Sequence, residues 1–281
     1  MDSKPTEFTT YDSILLTEKL NNITDLSDDV NNFFATFSFS SITNHNIDKG
    51  NSAYVFKNAI KDDNTKSKII TALNKLNQQN LNKIISMIRE IVFQTQEELN
   101  ELVNQCVQKI KRDSDQNKAL VAALCYELLA THFITTTGEK IYFRKLLLTT
   151  VKSDYIEGTN YTSETWTRDK GEKSMILIGT LYNSKIIDDK IMTNVILDFR
   201  NNIIFKSEGT QETYEIVEKS IHLLSCLVST IIINENTFDI YSDLDKFLIE
   251  QMLIYEDKRC ISRRIRLVCK TIVEELQKNT K

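Results

Sequence analysis

The chain has 281 residues, 41% of them hydrophobic and 26% charged, enough to build a sizeable core in one large domain or two small ones. One proline and 6 glycines argue against a turn-rich β fold and leave helix formation uninterrupted after Pro5. A net charge of −4 excludes nucleic-acid binding over the whole surface and leaves room only for a local basic stripe.

Residues 1–65 are rich in Asn, Asp, Ser and Thr, with short aromatic patches at Phe33-Phe34 and Phe37-Ser38-Phe39. Such a segment has too little apolar surface for a core of its own and reads as a flexible arm. From residue 66 the pattern turns helical. Ile69, Leu73 and Leu76 share one face, and Leu81, Ile84, Ile85 and Ile88 share another after the Asn77-Gln78-Gln79-Asn80 break. Thr95-Gln96-Glu97-Glu98 predicts a capping box that opens a helix through Leu99, Val103, Cys106 and Ile110. Residues 116–132 are apolar nearly all round and predict a central, buried helix ending at His132. A further helix is expected over 139–155, starting at Glu139. Residues 157–171, with Gly158, Gly171 and the lone Trp166, have loop composition.

Paired helices follow at 173–183 with 188–201 and at 213–233 with 240–255, and a last helix at 262–277. The count is about ten. Repeated pairs that cannot bury their apolar faces alone predict an all-α fold: an α-solenoid of about five antiparallel HEAT-type helix pairs over 66–281, preceded by the flexible arm.

Little in the chain has the chemistry of catalysis. His45, His132 and His222 are far apart in sequence and read as core or cap residues. No HExxH, GxSxG, P-loop or GxGxxG string occurs. The pairs Glu97-Glu98, Asp188-Asp189 and Glu274-Glu275 fit helix starts and solvated faces. Cys106, Cys125, Cys226, Cys260 and Cys269 form no CxxC pair and read as small buried hydrophobes in a reducing compartment. No apolar run approaches the ~20 residues needed to span a bilayer, and the polar start, Met1 to Pro5, lacks the apolar core of a secretory signal. The expectation is a cytoplasmic, non-enzymatic monomer without cofactor, metal or membrane contact.

Three strings stand out as charged or amide-rich edges on apolar helical faces: Leu73-Asn74-Lys75-Leu76, Phe143 to Leu148, and Ser262-Arg263-Arg264-Ile265-Arg266. Around the last, Lys258, Arg259, Arg263, Arg264, Arg266 and Lys270 form one basic cluster. The arginine fork suits a carboxylate or phosphate partner.

These strings carry a resemblance. Ile70 to Leu76 looks like the ILNKLTP opening of the middle domain of translation initiation factor 4 gamma, and Phe143 to Leu148 is identical to that family's FRKLLL. Ile178 to Ile187 is similar to its IGELFKLKML, and Ser262 to Val268 resembles its SSRIRFML. The four matches keep the family's order over roughly 66–277. Two departures are plain: Asn77-Gln78 stands where the family has Thr-Pro, and residues 157–171 replace a long charged insertion.

The resemblance implies a stack of five HEAT-type pairs that grips the DEAD-box RNA helicase initiation factor 4A and stimulates it. Carried over, Asn74, Lys75, Leu76 and Leu81 contact the helicase C-terminal lobe, Arg263, Arg264 and Arg266 contact its N-terminal lobe, and Arg144 belongs to the shared string. In the arm, Tyr11-Asp12-Ser13-Ile14-Leu15-Leu16 is similar to the family's motif for the cap-binding initiation factor 4E, with Tyr11, Leu15 and Leu16 as its anchors and Thr17 in place of a large apolar residue. RNA is a secondary partner, at Lys258, Arg259 and Lys270. The competing readings are a non-stimulating adaptor or repressor of the same fold, and a HEAT protein whose main activity is RNA binding.

Overall fold

Apolar residues recurring three and four apart decide the local structure here, and each stripe becomes a helix. The computed structural model describes residues 63–205, 209–232 and 238–278. Among them are ten helices: α1 (Asp63–Asn74), α2 (Leu81–Arg89), α3 (Gln96–Arg112), α4 (Asp115–Glu127), α5 (Phe143–Thr159), α6 (Arg168–Asn183), α7 (Asp189–Ile203), α8 (Gln211–Thr230), α9 (Phe238–Lys258) and α10 (Arg263–Lys278). Between α4 and α5 lies a hairpin of β1 (His132–Ile134) and β2 (Lys140–Tyr142). The described part is thus mostly helical, as the composition predicts. None of its helices is long and apolar enough to cross a membrane.

Helix α3 shows how the sequence sets an element. Thr95 Oγ1 accepts from the Glu98 N–H at 3.3 Å, and the Glu98 carboxylate accepts from the Gln94 N–H at 2.6 Å. The expected capping box therefore forms with its return bond shifted back by one residue. Leu99, Leu102, Val103, Cys106, Val107 and Ile110 then make one buried stripe. Each such side chain contributes about 1.5–3 kcal/mol relative to exposure.

Successive helices pack as pairs: α1 on α2, α3 on α4, α5 on α6, α7 on α8, and α9 on α10. The even-numbered members form one continuous row, α2 on α4, α4 on α6, α6 on α8, and α8 on α10. In the other row α1 packs on α3, α3 on α5, and α7 on α9. Polar links tie this second row. The Lys111–Asp154 ion pair joins α3 to α5, and Tyr155 Oη donates to Asp198 Oδ2 at 2.6 Å between α5 and α7. Tyr255 Oη, from α9, donates to the Ile203 carbonyl at the end of α7.

Three expectations need correction. The helix expected from Glu139 begins only at Phe143, because 132–142 is a hairpin pairing His132 with Tyr142, Phe133 with Ile141 and Ile134 with Lys140. The β-branched run through Thr137 and the positive φ of 84° at Gly138 favour that turn. His132 accordingly sits in a strand. Second, the stretch 157–171 is helix at both ends, and only 160–167 connects. Third, the helix expected to be central and buried over 116–132 ends at Glu127 and is only partly buried, with four of 13 residues buried in α4 against nine of 16 in α6.

The second and third corrections share one cause. Gly158, Gly171 and Gly179 are contact points between helices and not loop residues. A Cβ at Gly158 would stand 2.8 Å from Ser174 Cβ, one at Gly171 2.9 Å from Leu223 Cδ2, and one at Gly179 2.8 Å from Thr230 Cγ2. Absent side chains let α5 and α8 close on α6. Trp166 holds the short connection by donating its Nε1–H to the Gly158 carbonyl at 2.7 Å.

Two measurements test this framework. Gly158→Ala should lower stability by about 1–3 kcal/mol through overpacking, more than the ~1 kcal/mol that alanine gains as a helix former. Adding Ser174→Gly, which removes the struck Cβ, should recover most of that loss. A denaturation cycle reads the coupling, and strict additivity would refute the close approach. Burial raises the Asp198 pKa and the Tyr155 hydrogen bond pulls it down, so that bond favours the charged carboxylate. Tyr155→Phe should cost about 1–3 kcal/mol at neutral pH. Because only the ionised form needs the donor, the cost should shrink as pH falls through the raised folded pKa; urea titrations of both proteins across that range check the sign.

Candidate partner-binding surface

The predicted contact residues fall on three separate surfaces. The first is the α1–α2 turn. Asn74 and Lys75 are exposed, and Leu76 and Leu81 are half-buried. Asn80 Nδ2 donates to the Lys75 carbonyl at 2.6 Å, and the Asn80 and Gln79 N–H groups donate to Asn77 Oδ1 at 3.1 and 3.0 Å. These amide side chains close the end of α1 without a proline. The turn holds Lys75 outward, while Asn74 Oδ1 accepts from Lys109 Nζ at 3.4 Å.

The second surface is the start of α5. Phe143 is fully buried and anchors the helix, while Arg144 beside it is half-buried with a sheltered, unbonded Nε. Neither α1 nor α10 is among the helices packed closely on α5, so this string is not brought together with the other two.

The third surface is the α9–α10 corner. Arg263 and Arg264 are exposed, and their side chains make no hydrogen bond or ion pair to other described residues. Arg266 is half-buried, its Nη1 3.3 Å from Glu256 Oε1. Lys258 lies beside Asp257 at 3.3 Å, and Lys270 is exposed one helical turn beyond Arg266. Leu267, 56% exposed, gives this face an apolar centre.

Local rules are broken here. A helix N-terminus carries partial positive charge and favours acids. The first turn of α10 holds no acidic residue, yet it begins Arg263-Arg264-Ile265-Arg266. Arg259, just past α9, takes a left-handed φ of 52°, a position that suits glycine. Partial relief comes from Ser262, whose Oγ accepts from the Ile265 N–H at 3.4 Å, and whose own N–H donates to Glu218 at 2.6 Å. The sequence thus departs here from what helix stability alone favours.

A fourth cluster was missed by the sequence reading, which gave His222 and Cys226 core roles. One turn apart on α8, they face Arg168 and Glu172, one turn apart on α6. Arg168 Nε donates to Glu172 Oε1 at 2.6 Å and lies 2.8 Å from His222 Nε2, while His222 Nε2 is 2.6 Å from Glu172 Oε1. Cys226 Sγ is 4.0 Å from the same nitrogen. Among the described residues, Glu172, His222 and Cys226 form a group of possible metal ligands whose donor atoms all lie within 4.8 Å of one another. Burial raises the Glu172 pKa, but hydrogen bonds from His222 and Arg168 outweigh it and hold the carboxyl below its usual value. Burial, with Glu172 nearby, pushes the Cys226 thiol up to about 11. The matched i, i+4 spacings were the available signal; the pairing of α6 with α8 was not. Cys106, Cys125 and Cys269 are buried as expected.

The anchors Tyr11, Leu15 and Leu16, and also His45, lie outside the described residues. Comparison with protein-family models and with curated proteins returned no match.

Arg263→Glu with Arg264→Glu should leave the fold intact and raise its stability by about 0.3–1 kcal/mol, since carboxylates suit a helix N-terminus. Thermal denaturation at low salt reads the gain, and a clear loss would show that these arginines serve the fold.

Proposed function

We propose that this chain is a non-catalytic scaffold of the initiation factor 4 gamma type, an α-solenoid that grips the DEAD-box helicase initiation factor 4A during translation initiation in the cytoplasm. The observation that carries the reading is the unbroken row α2–α4–α6–α8–α10, which ends in a cationic corner held against its own helix dipole. HEAT-type stacks pack in this manner, each pair resting on the next. The α1–α2 turn and the α9–α10 corner belong to the first and last pairs, so they suit a partner with two lobes.

The mechanism is a population shift. A scaffold stimulates a two-lobed enzyme only if it binds the active lobe arrangement more tightly than the open one. A tenfold rise in the active population needs about 1.4 kcal/mol of differential affinity. Charge-assisted hydrogen bonds from Arg263 and Arg264, at about 1.5–3 kcal/mol each, supply that when the lobe they hold is reached together with the α1–α2 turn only in the active arrangement. In this reading the cap-binding initiation factor 4E docks on Tyr11, Leu15 and Leu16, and RNA is a secondary ligand of Lys258, Arg259 and Lys270.

The helicase ATPase rate in the presence of RNA should rise on adding the chain. Arg263→Glu with Arg264→Glu should abolish the rise, and Lys75→Glu should weaken it, each with the fold retained. Binding without stimulation would favour the adaptor reading, and no binding to the helicase would overturn the proposal.

A further inference from the structure

The crossing of α6 and α8 holds a cluster that the proposed scaffold does not use. Three polar atoms are crowded there: Arg168 Nε, Glu172 Oε1 and His222 Nε2 stand 2.6, 2.6 and 2.8 Å apart. No protonation state makes all three contacts favourable. With a proton on Nε2, histidine and arginine press two donors together. Without it, the nitrogen lone pair faces the carboxylate oxygen. A cation at the meeting point of the lone pairs relieves the conflict.

We infer that Glu172, His222 and Cys226 bind a zinc ion that ties α6 to α8, with Arg168 as its stand-in when the metal is absent. The donor set is one imidazole nitrogen, one thiolate sulfur and one carboxylate oxygen, the borderline mixture that zinc accepts in tetrahedral sites. Tetrahedral bonds of about 2.0–2.3 Å put neighbouring ligand atoms roughly 3.3–3.6 Å apart. The observed separations bracket that spacing, 2.6 Å for His222 to Glu172 and 4.0 Å for His222 to Cys226. All three donor atoms lie within 4.8 Å of one another, so binding requires shifts of about 1 Å at the side-chain tips.

Access and exclusion also fit. The side chains of Glu172 and His222 are 32% and 20% exposed, while Arg168, at 51%, is free to swing outward. Cys226 also borders an open cleft of about 480 Å³ beside Lys118, Thr180 and Ser229, and the exposed flank of Glu172 and His222 lets water take a fourth position. Binding sends the Cys226 thiol proton to solvent and sets a divalent ion where a guanidinium stood.

The test uses the reduced, metal-stripped full chain. Cobalt(II) should bind one per chain, with tetrahedral visible bands and a sulfur-to-cobalt charge-transfer band, and zinc should displace it. Zinc should raise the melting temperature. Cys226→Ser should remove the charge-transfer band, and His222→Ala should weaken zinc by about tenfold or more. Arg168→Ala should tighten zinc, because it removes the competing cation while every ligand remains; a purely structural hydrogen-bond knot would gain nothing. No saturable binding, binding unchanged by both ligand substitutions, or zinc affinity that falls in Arg168→Ala would each overturn the inference.

Discussion

The closeness of α6 to its neighbours is the constraint on which the rest depends. Helix axes usually pack 8–10 Å apart, at a distance set by the side chains at the crossing. Gly158, Gly171 and Gly179 remove those side chains, so α6 is covered by α5 on one side and α8 on another. Ser174 and Ser220 are fully buried in the same region, small enough to fit the remaining space. The middle pairs of the row are thus set by what is missing from the sequence. Larger residues there would push α8 outward and carry α10 and its arginines with it.

The amphipathic helices were legible because each carries its own period. Thr95 and Glu98 announced α3, and Asp188, whose carboxylate accepts from the Ile191 N–H at 2.8 Å, announced α7. The glycines were misread because one residue type serves two opposite ends, freedom in turns and tightness at crossings. Nothing local separates the two uses; only knowing which helices meet does. The hairpin was missed for a different reason. Its strands have three residues each, too short for alternation to stand out against flanking helical stripes.

The basic corner and the Arg168 cluster illustrate the same limit from the side of function. Arg263 to Arg266 were visible as a string because they are neighbours in sequence, and the structure adds that they oppose their own helix dipole. Glu172 and Cys226 are 54 positions apart, and only the packing of α6 on α8 makes them one group. A site read from contiguous residues is found early; a site assembled across a helix crossing waits for the fold.

Trp166 gives the middle of the chain an optical address. It is the only tryptophan of the 281 residues. Its indole donates to the Gly158 carbonyl, meets Tyr161 edge-on at 5.7 Å, and lies under Lys219 Nζ at 5.0 Å. Those partners come from α5, the 160–167 connection and α8. Tryptophan emission, excited apart from that of the 10 tyrosines, therefore reports on this junction. Any event that loosens α8 from the centre changes the charge above the ring, and colour and yield become a label-free gauge of that single seam.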